Sequence, residues 1–392
     1  NTIQDYAWGS TTAIPELMGL APNGLPQAEL WMGAHPKAPS RVREAASDIS
    51  LVDWIERQPE AILGKPAAER FQNQLPFLFK MLAASKPLSI QAHPSREAAR
   101  EGFERENRKG IPLNAPHRNY KDPNHKPECI CALTAFWALS GFRRISDIIS
   151  LGRTFCPVEL KAVWDTLETA SDPDGLKHFF RFLMTLSDNR RSAVIRETLA
   201  NAGPKREDNP ISRWILTLHE AYPDDIGILS PMFLNLVCLE PGHAMFLPAG
   251  RLHSYLEGVG IELMANSDNV LRGGLTPKHV DVPELLNRLD FENREVRIIR
   301  PEKKTDHEWV YPTPAEEFVL SVISVRDEAD GADFPVTSIQ ILLCTEGEVV
   351  FAVPATGQRL DITKGMSVVV PAALGGYRIS GCGRLYKASV PL

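Results

Sequence analysis

The 392-residue chain contains no apolar run approaching the roughly 18 residues that a membrane span needs. Its first residues, Asn1-Thr2-Ile3-Gln4-Asp5, offer neither a basic region nor an apolar core, so a secretory leader is not expected and a cytoplasmic protein is. Positive charge is in deficit: 43 Lys and Arg face 49 Asp and Glu, for a formal net charge of −6. That balance excludes a broad nucleic-acid surface but leaves room for a local basic pocket. There is no C-x-x-C pair. Cys129, Cys131, Cys156, Cys238, Cys344 and Cys382 are scattered, and Cys129 and Cys131 stand too close for an easy disulfide. All six are expected to be reduced thiols, most of them buried. A Walker loop and a G-x-G-x-x-G turn are also missing, so no nucleotide cofactor is indicated.

What is present is an ordinary globular composition, 43% apolar and 23% charged, on a chain long enough for two or three domains. Residues 1–95 read as short strands and loops, with helices over Leu51–Gln58 and Lys65–Phe71 and a strand over Leu75–Met81. Ser95 caps a polar helix over 96–109 that Gly110 closes. Residues 111–127, rich in Pro, Asn, His and Lys, form a long loop. Glu128–Ala138 reads as one buried strand. From about 145 to 230 the apolar spacing turns helical, with Ile211, Ile215, Leu218 and Tyr222 on one face. Strand patterning returns at Phe233–Leu239 and Ala244–Leu247. It recurs beyond residue 300 at Ser338–Cys344, Gly347–Val353, Leu360–Ile362 and Ser367–Pro371. Short Pro/Gly turns between such strands favour a sandwich or barrel. The second set echoes the first but has no His after Pro371, so no metal is expected there.

Candidate chemistry gathers at three stretches. In Ser89-Ile90-Gln91-Ala92-His93 a strand period of two sets Ser89, Gln91 and His93 on one face. By itself Q-x-H describes a core histidine beside a buried amide as well as it describes a metal site. His125-Lys126-Pro127-Glu128 and Leu252-His253-Ser254-Tyr255 tip the balance. Gln91, His93, Glu128 and His253 supply two imidazoles, one carboxylate and one amide oxygen, a set that suits Zn²⁺ or a similar ion. With no cysteine and an open position it fits a Lewis-acid role better than a structural one. Residues 253–278 hold Tyr255, Glu262, Asp268, Arg272 and Lys278 among glycines, and on composition a solvated loop is the plain alternative. Lys80, Lys86, Lys126, Arg272 and Lys278 are candidates for an anion pocket, with Ser89 as a donor to a phosphate oxygen.

Five ordered stretches carry a resemblance to a known family: Gln4–Gly9, Ala28–Pro36, Leu88–Pro94, Asn124–Glu128 and Met264–Lys278. Together they resemble the type I mannose-6-phosphate isomerases, from the N-terminus to Val390-Pro391. The resemblance implies a mainly β fold with a helical insert: cupin-type jelly-roll barrels, one catalytic and one C-terminal, plus an all-α domain. The catalytic barrel is expected over 1–144 and 231–300, the insert over 145–230, and a metal-free C-terminal barrel over 301–392. It implies one Zn²⁺ per chain on Gln91, His93, Glu128 and His253, and a phosphorylated hexose substrate, mannose 6-phosphate exchanging with fructose 6-phosphate. The catalytic arginine falls on Arg272 and the active-site lysine on Lys126. The phosphate contacts fall on Ser89, Lys80 and Lys278. Ala92, where Val is also usual, and Arg251 depart from the family pattern without touching the chemistry.

Such a reaction passes a proton between C1 and C2 through a cis-enediol. Zinc and Arg272 are expected to stabilise the oxyanion, with Glu262 or Lys126 carrying the proton and His125 as a third candidate. Tyr255 and Asp268 would orient hydroxyls or Arg272, and Trp8 would line the sugar or belong to the core. A monomer without nucleic-acid or membrane partners is expected. A metal-dependent oxygenase and a sugar-binding regulator are the alternatives, disfavoured respectively by Gln91 with the lysines and by the intact Glu128, His253 and Arg272.

Overall fold

Alternation and buried apolar runs select the strands of a ten-stranded sheet, at whose centre lie Phe77–Ala84 and His253–Ala265. The computed structural model describes residues 1–44, 47–155, 157–205, 208–327 and 331–392, so Cys156 lies outside the described residues. Along its main path the sheet runs Thr2–Gln4, Glu29–Gly33, Phe77–Ala84, His253–Ala265, Ile90–Ala92 and Leu271–Gly274. Every residue of Phe77–Ala84 is buried, Lys80 included. The pairing is antiparallel throughout, with Lys80 opposite Glu262 and Trp31 opposite Lys80.

The thirteen residues His253–Ala265 serve several neighbours in turn. The half from Gly258 onward pairs with Phe77–Ala84 and with Glu128–Ala132. The half before it pairs with Phe136–Phe142 and, through His253, with Gln91. Between the halves the register shifts at Tyr255/Glu257 and Gly258 adopts φ +130°. A Cβ there would sit 2.6 Å from the Ala135 carbonyl, so only glycine lets the strand change partners.

The run expected as one strand over Glu128–Ala138 is two, Glu128–Ala132 and Phe136–Phe142, because residues 133–135 turn the chain between them. Residues 253–265, which composition alone allowed as a solvated loop, are a buried strand. Ser338–Cys344 and Gly347–Val353 merge into one strand, Gln340–Val353, with an irregularity at Cys344/Glu346. The helical stretch holds from Ile145 to Phe233, with Ile211, Ile215 and Leu218 buried and Tyr222 just past the helix Pro210–Ala221. Helices also occupy Leu51–Arg57, Lys65–Arg70 and Arg96–Arg108, so the chain is mixed α and β rather than mainly β. Ser95 caps the last of these by accepting from the Ala98 amide. Among the described residues, no helix is long and apolar enough to cross a membrane. Cys129, Cys131 and Cys344 are buried and free, while Cys238 and Cys382 are free and exposed.

An eight-stranded sheet between Glu302 and Ser389 is built on two fourteen-residue strands, Gln340–Val353 and Gly376–Ser389. One apolar cluster joins the two sheets: Met81, Cys131 and Ile261 of the first pack with Tyr311, Ile341 and Tyr386 of the second. Inside the second sheet Lys387 meets Glu308 at 2.6 Å, with both side chains at 5% exposure or less. Lys304 also reaches Glu308 at 3.5 Å, but its own side chain is exposed, so removing Lys387 leaves the buried carboxylate only partly compensated. Lys387→Ala is expected to cost about 3–5 kcal/mol in urea unfolding, and a paired Lys387→Met/Glu308→Gln variant is expected to recover most of it. An undiminished midpoint in the single variant would show the pair to be dispensable.

Candidate metal centre

Three short pairings bring the chemistry together. His253 lies opposite Gln91, and Gln91 lies opposite Arg272. Side chains on one face of directly paired strands stand about 4.5–5.5 Å apart at Cβ. The three residues therefore form a row across three strands. Glu128 begins the strand Glu128–Ala132 and lies opposite Met264 on the same long strand that carries His253 and Glu262.

His93, Glu128 and His253 are all buried, and one ligand atom from each lies within 4.8 Å of the others. Nε2 of His93 is 3.1 Å from one Glu128 oxygen, and Nε2 of His253 is 3.4 Å from the other. Nδ1 of His93 lies 2.7 Å from the Asn269 carbonyl and Nδ1 of His253 lies 3.0 Å from the Arg251 carbonyl. A carbonyl only accepts, so each Nδ1 carries the proton and each Nε2 lone pair turns to the centre. Among the described residues the buried Nε2 of His93 makes no hydrogen bond. Burial pushes the His93 ring down to about 4, which keeps it neutral, as a ligand must be. Gln91 donates its Nε2 to Ser89 Oγ at 3.2 Å, which leaves the amide oxygen for a fourth bond. The donor set and the orphaned nitrogen fit a divalent ion.

Around these groups lies a second layer of buried charge. Lys126 reaches Glu128 at 3.1 Å. Although burial works against it, Lys126 and His93 hold the Glu128 carboxyl well below the usual range. Lys80 binds Glu262 at 2.9 Å and Glu29 at 3.7 Å. Burial disfavours the Lys80 ammonium, but the two carboxylates outweigh that and raise it above its ordinary value. For Glu262 burial pushes the carboxyl up, against the pull of Lys80. The Tyr255 hydroxyl is buried, with no hydrogen-bond partner of good geometry among the described residues. Burial, then Glu262 and Glu128, push it well above its usual value. These groups line a cavity of about 60 Å³, with Ser89 at its wall. Larger clefts of about 560 and 670 Å³ contain none of the expected ligands.

Arg272 is half-buried on Leu271–Gly274, and that desolvation pulls its guanidinium below the ordinary value. It makes no ion pair among the described residues. Three expected residues lie outside this inner cluster. His125 turns away from the centre, because in an extended segment it points opposite to Lys126 and Glu128. Its Nε2 meets Glu317 at 2.6 Å and Arg96 at 2.9 Å. Asp268 holds Lys37 at 2.7 Å and His35 at 3.4 Å rather than Arg272. Lys278 is exposed on the loop that follows Leu271–Gly274. Trp8 is half-buried, stacks on Tyr6 at 5.7 Å and packs beside the cluster holding Tyr255.

Two groups escaped the sequence reading. Glu29 accepts from Trp31 Nε1 at 2.6 Å and joins Lys80, and its signal was an acidic residue inside an apolar strand. Asn269 presents its carbonyl to His93, while its side chain binds the backbone at Lys121, Asp122 and Asn124. It thereby pins the long loop before Lys126 against the centre.

Residues 1–145 match the family described as phosphomannose isomerase type I, catalytic domain. The chain is 42% identical over 392 residues to a mannose-6-phosphate isomerase from Salmonella typhimurium, covering 99% of this chain and 97% of that one. It is 33% identical over 397 residues to the one from Homo sapiens, covering 93% and 90%. Among solved structures, a point mutant of phosphomannose isomerase from Salmonella typhimurium superposes with a TM-score of 0.94 at 41% identity, covering 100% of this chain and 98% of that one. A mannose 6-phosphate isomerase described as holo and zinc bound superposes with a TM-score of 0.93 at 42% identity and the same coverage.

His253→Ala is expected to weaken divalent-metal binding by more than the roughly 10–100-fold that loss of an outer-shell partner costs, with the far-UV spectrum unchanged. Competition with a chromophoric chelator reads this directly. Equal affinity in the two proteins would remove His253 from the ligand set.

Proposed function

The chain belongs to the type I phosphomannose isomerase family, and from that premise we propose that it interconverts mannose 6-phosphate and fructose 6-phosphate in the cavity around Glu128. The observation that carries the reading is the pair of imidazoles whose Nδ1 atoms are tied to carbonyls and whose Nε2 atoms converge on one buried carboxylate. The ion is zinc, with His93, Glu128, His253 and the Gln91 oxygen as its ligands. A bound zinc ion supplies Lewis-acid polarisation of a sugar oxygen.

The rest falls to side chains. Glu262 takes the proton from one carbon and returns it to the other through a cis-enediol, while the hydroxyl proton passes from one of the two oxygens to the other; a buried carboxyl raised by desolvation is suited to both halves of the carbon transfer. Lys80, bound to Glu262 and Glu29, fixes that carboxylate and tempers its basicity, a task that competes with the phosphate contact expected for it. Lys126 sits on Glu128 and keeps it ionised. Arg272, in line with Gln91 and free of a competing carboxylate among the described residues, meets the negative charge that develops on the enediol oxygen. A cavity of about 60 Å³ takes only the reacting end of the sugar. The phosphate therefore lies outward, with Ser89 and Lys278 as its contacts and Trp8 beside the ring. Binding energy gained there positions C1 and C2.

On the same reading the two sheets are cupin-type jelly rolls. The catalytic one spans 1–144 and 231–300, interrupted by a helical domain over 145–230, and a metal-free copy spans 301–392. The protein acts as a cytoplasmic monomer. Turnover of mannose 6-phosphate is expected to vanish on chelation and to return with about one equivalent of zinc. Arg272→Ala is expected to lower kcat by about 10²–10³ with zinc content unchanged. Full turnover in metal-free protein would overturn the metal chemistry, and parallel loss of zinc and kcat in Arg272→Ala would overturn the arginine's role.

A further inference from the structure

The open side of the site is carried by two strands too short to hold themselves. Ile90–Ala92 has three residues and Leu271–Gly274 has four, and the latter is an edge of its sheet. Their pairing sets Arg272 opposite Gln91 and then breaks register before Gly274. Past the break, Gly274 adopts φ +128° and Leu275 adopts φ +53°. A left-handed backbone at a buried leucine is strained and persists only where the surroundings over-determine it.

Residues 222–227, at the end of the helical stretch, supply that constraint. The Asp225 carboxylate accepts from the Gly227 amide at 2.7 Å with one oxygen and from the Thr276 amide at 3.0 Å with the other. The Tyr222 hydroxyl donates to the Pro87 carbonyl at 2.8 Å, just ahead of Ser89 and Gln91. The backbones are in direct contact: a Cβ on Gly227 would lie 3.0 Å from the Leu275 amide nitrogen, and one on Gly274 would lie 3.1 Å from the Asp225 oxygen. Ile226 and Ile228 share an apolar cluster with Ile90, Leu271 and Leu275. The apolar sides of both short strands thus pack on the helical stretch, while Gln91 and Arg272 stand on the opposite side.

We infer that Asp225, seconded by Tyr222, is a positioning residue for the isomerisation: it locks the turn after Arg272 and so holds the guanidinium in line with Gln91. Asp225 belongs neither to the His93, Glu128 and His253 group nor to the lining of the cavity around Glu128, and it acts through Arg272. The inference rests on the reading of Arg272 given above.

A double-mutant cycle tests it on the zinc-loaded full chain with mannose 6-phosphate. Asp225→Ala is expected to lower kcat about tenfold to a hundredfold while KM and zinc content stay within about twofold. Asp225→Asn, which retains one oxygen acceptor, is expected to lose less. In an Arg272→Ala background, Asp225→Ala is expected to cost less than about twofold, because the group it positions is gone. Losses that multiply independently, or an unchanged kcat in Asp225→Ala, would overturn the inference while leaving Arg272 in place. Normal turnover in Arg272→Ala alone would overturn the underlying reading and the inference with it. If Asp225→Ala does not fold, Asp225→Asn and Tyr222→Phe carry the same cycle under the same criteria.

Discussion

Five charged side chains, Glu29, Lys80, Lys126, Glu128 and Glu262, lie buried or nearly so around one small cavity, and their mutual compensation is the constraint the rest of the fold must satisfy. An isolated ion in such surroundings would shed its charge or unfold the region. Here each acid has a basic partner within 4 Å, and Glu128 has the two imidazoles besides. The arrangement demands strands that cannot slip, because a one-residue shift would turn Lys80 and Glu262 to opposite faces. The long central strand His253–Ala265 meets that demand by pairing with four others along its length.

The same strand explains why the site combines rigid and less self-sufficient parts. His253, Glu262 and Glu128 belong to long or doubly paired strands. His93 follows a three-residue strand and depends on the Asn269 carbonyl, which depends in turn on the loop around Asp122. Gln91 and Arg272 sit on short strands of three and four residues. The helical stretch, whose sequence shows only an amphipathic pattern, covers their apolar backs. An apolar cluster shared between helices and edge strands makes the helices part of the site's support rather than an appendage.

The second sheet repeats the strand style and replaces the chemistry. Its interior charge is one lysine and one glutamate, Lys387 and Glu308, with Tyr377 donating to Gln340 nearby. Its contact with the first sheet is largely apolar, with polar links where the Cys131 thiol meets the Tyr311 hydroxyl at 3.1 Å, where that hydroxyl donates to the Gly242 carbonyl at 3.1 Å, and where Asn1 donates to Ser367 Oγ at 2.6 Å. Burial pushes that thiol up to about 11, so Cys131 is a packing group and not a nucleophile.

The sequence by itself determined the elements whose signals are local. Ser95 announces its helix because a cap needs a side-chain oxygen at that position, and the apolar spacing from 145 onward identifies helices because their period is fixed. Gln91, His93, Glu128 and His253 could be proposed as ligands from donor type alone, since few combinations of imidazole, amide and carboxylate suit one ion. What only the tertiary structure decided is which way each remaining group faces and what already holds it. His125 and Lys126 are adjacent in the chain, yet backbone alternation sends one to Glu317 and the other to Glu128. Lys80 read as an anion contact until two carboxylates from distant strands closed on it. Asp225 bore no mark at all, because its meaning lies in an amide 51 residues away that no local pattern can reveal.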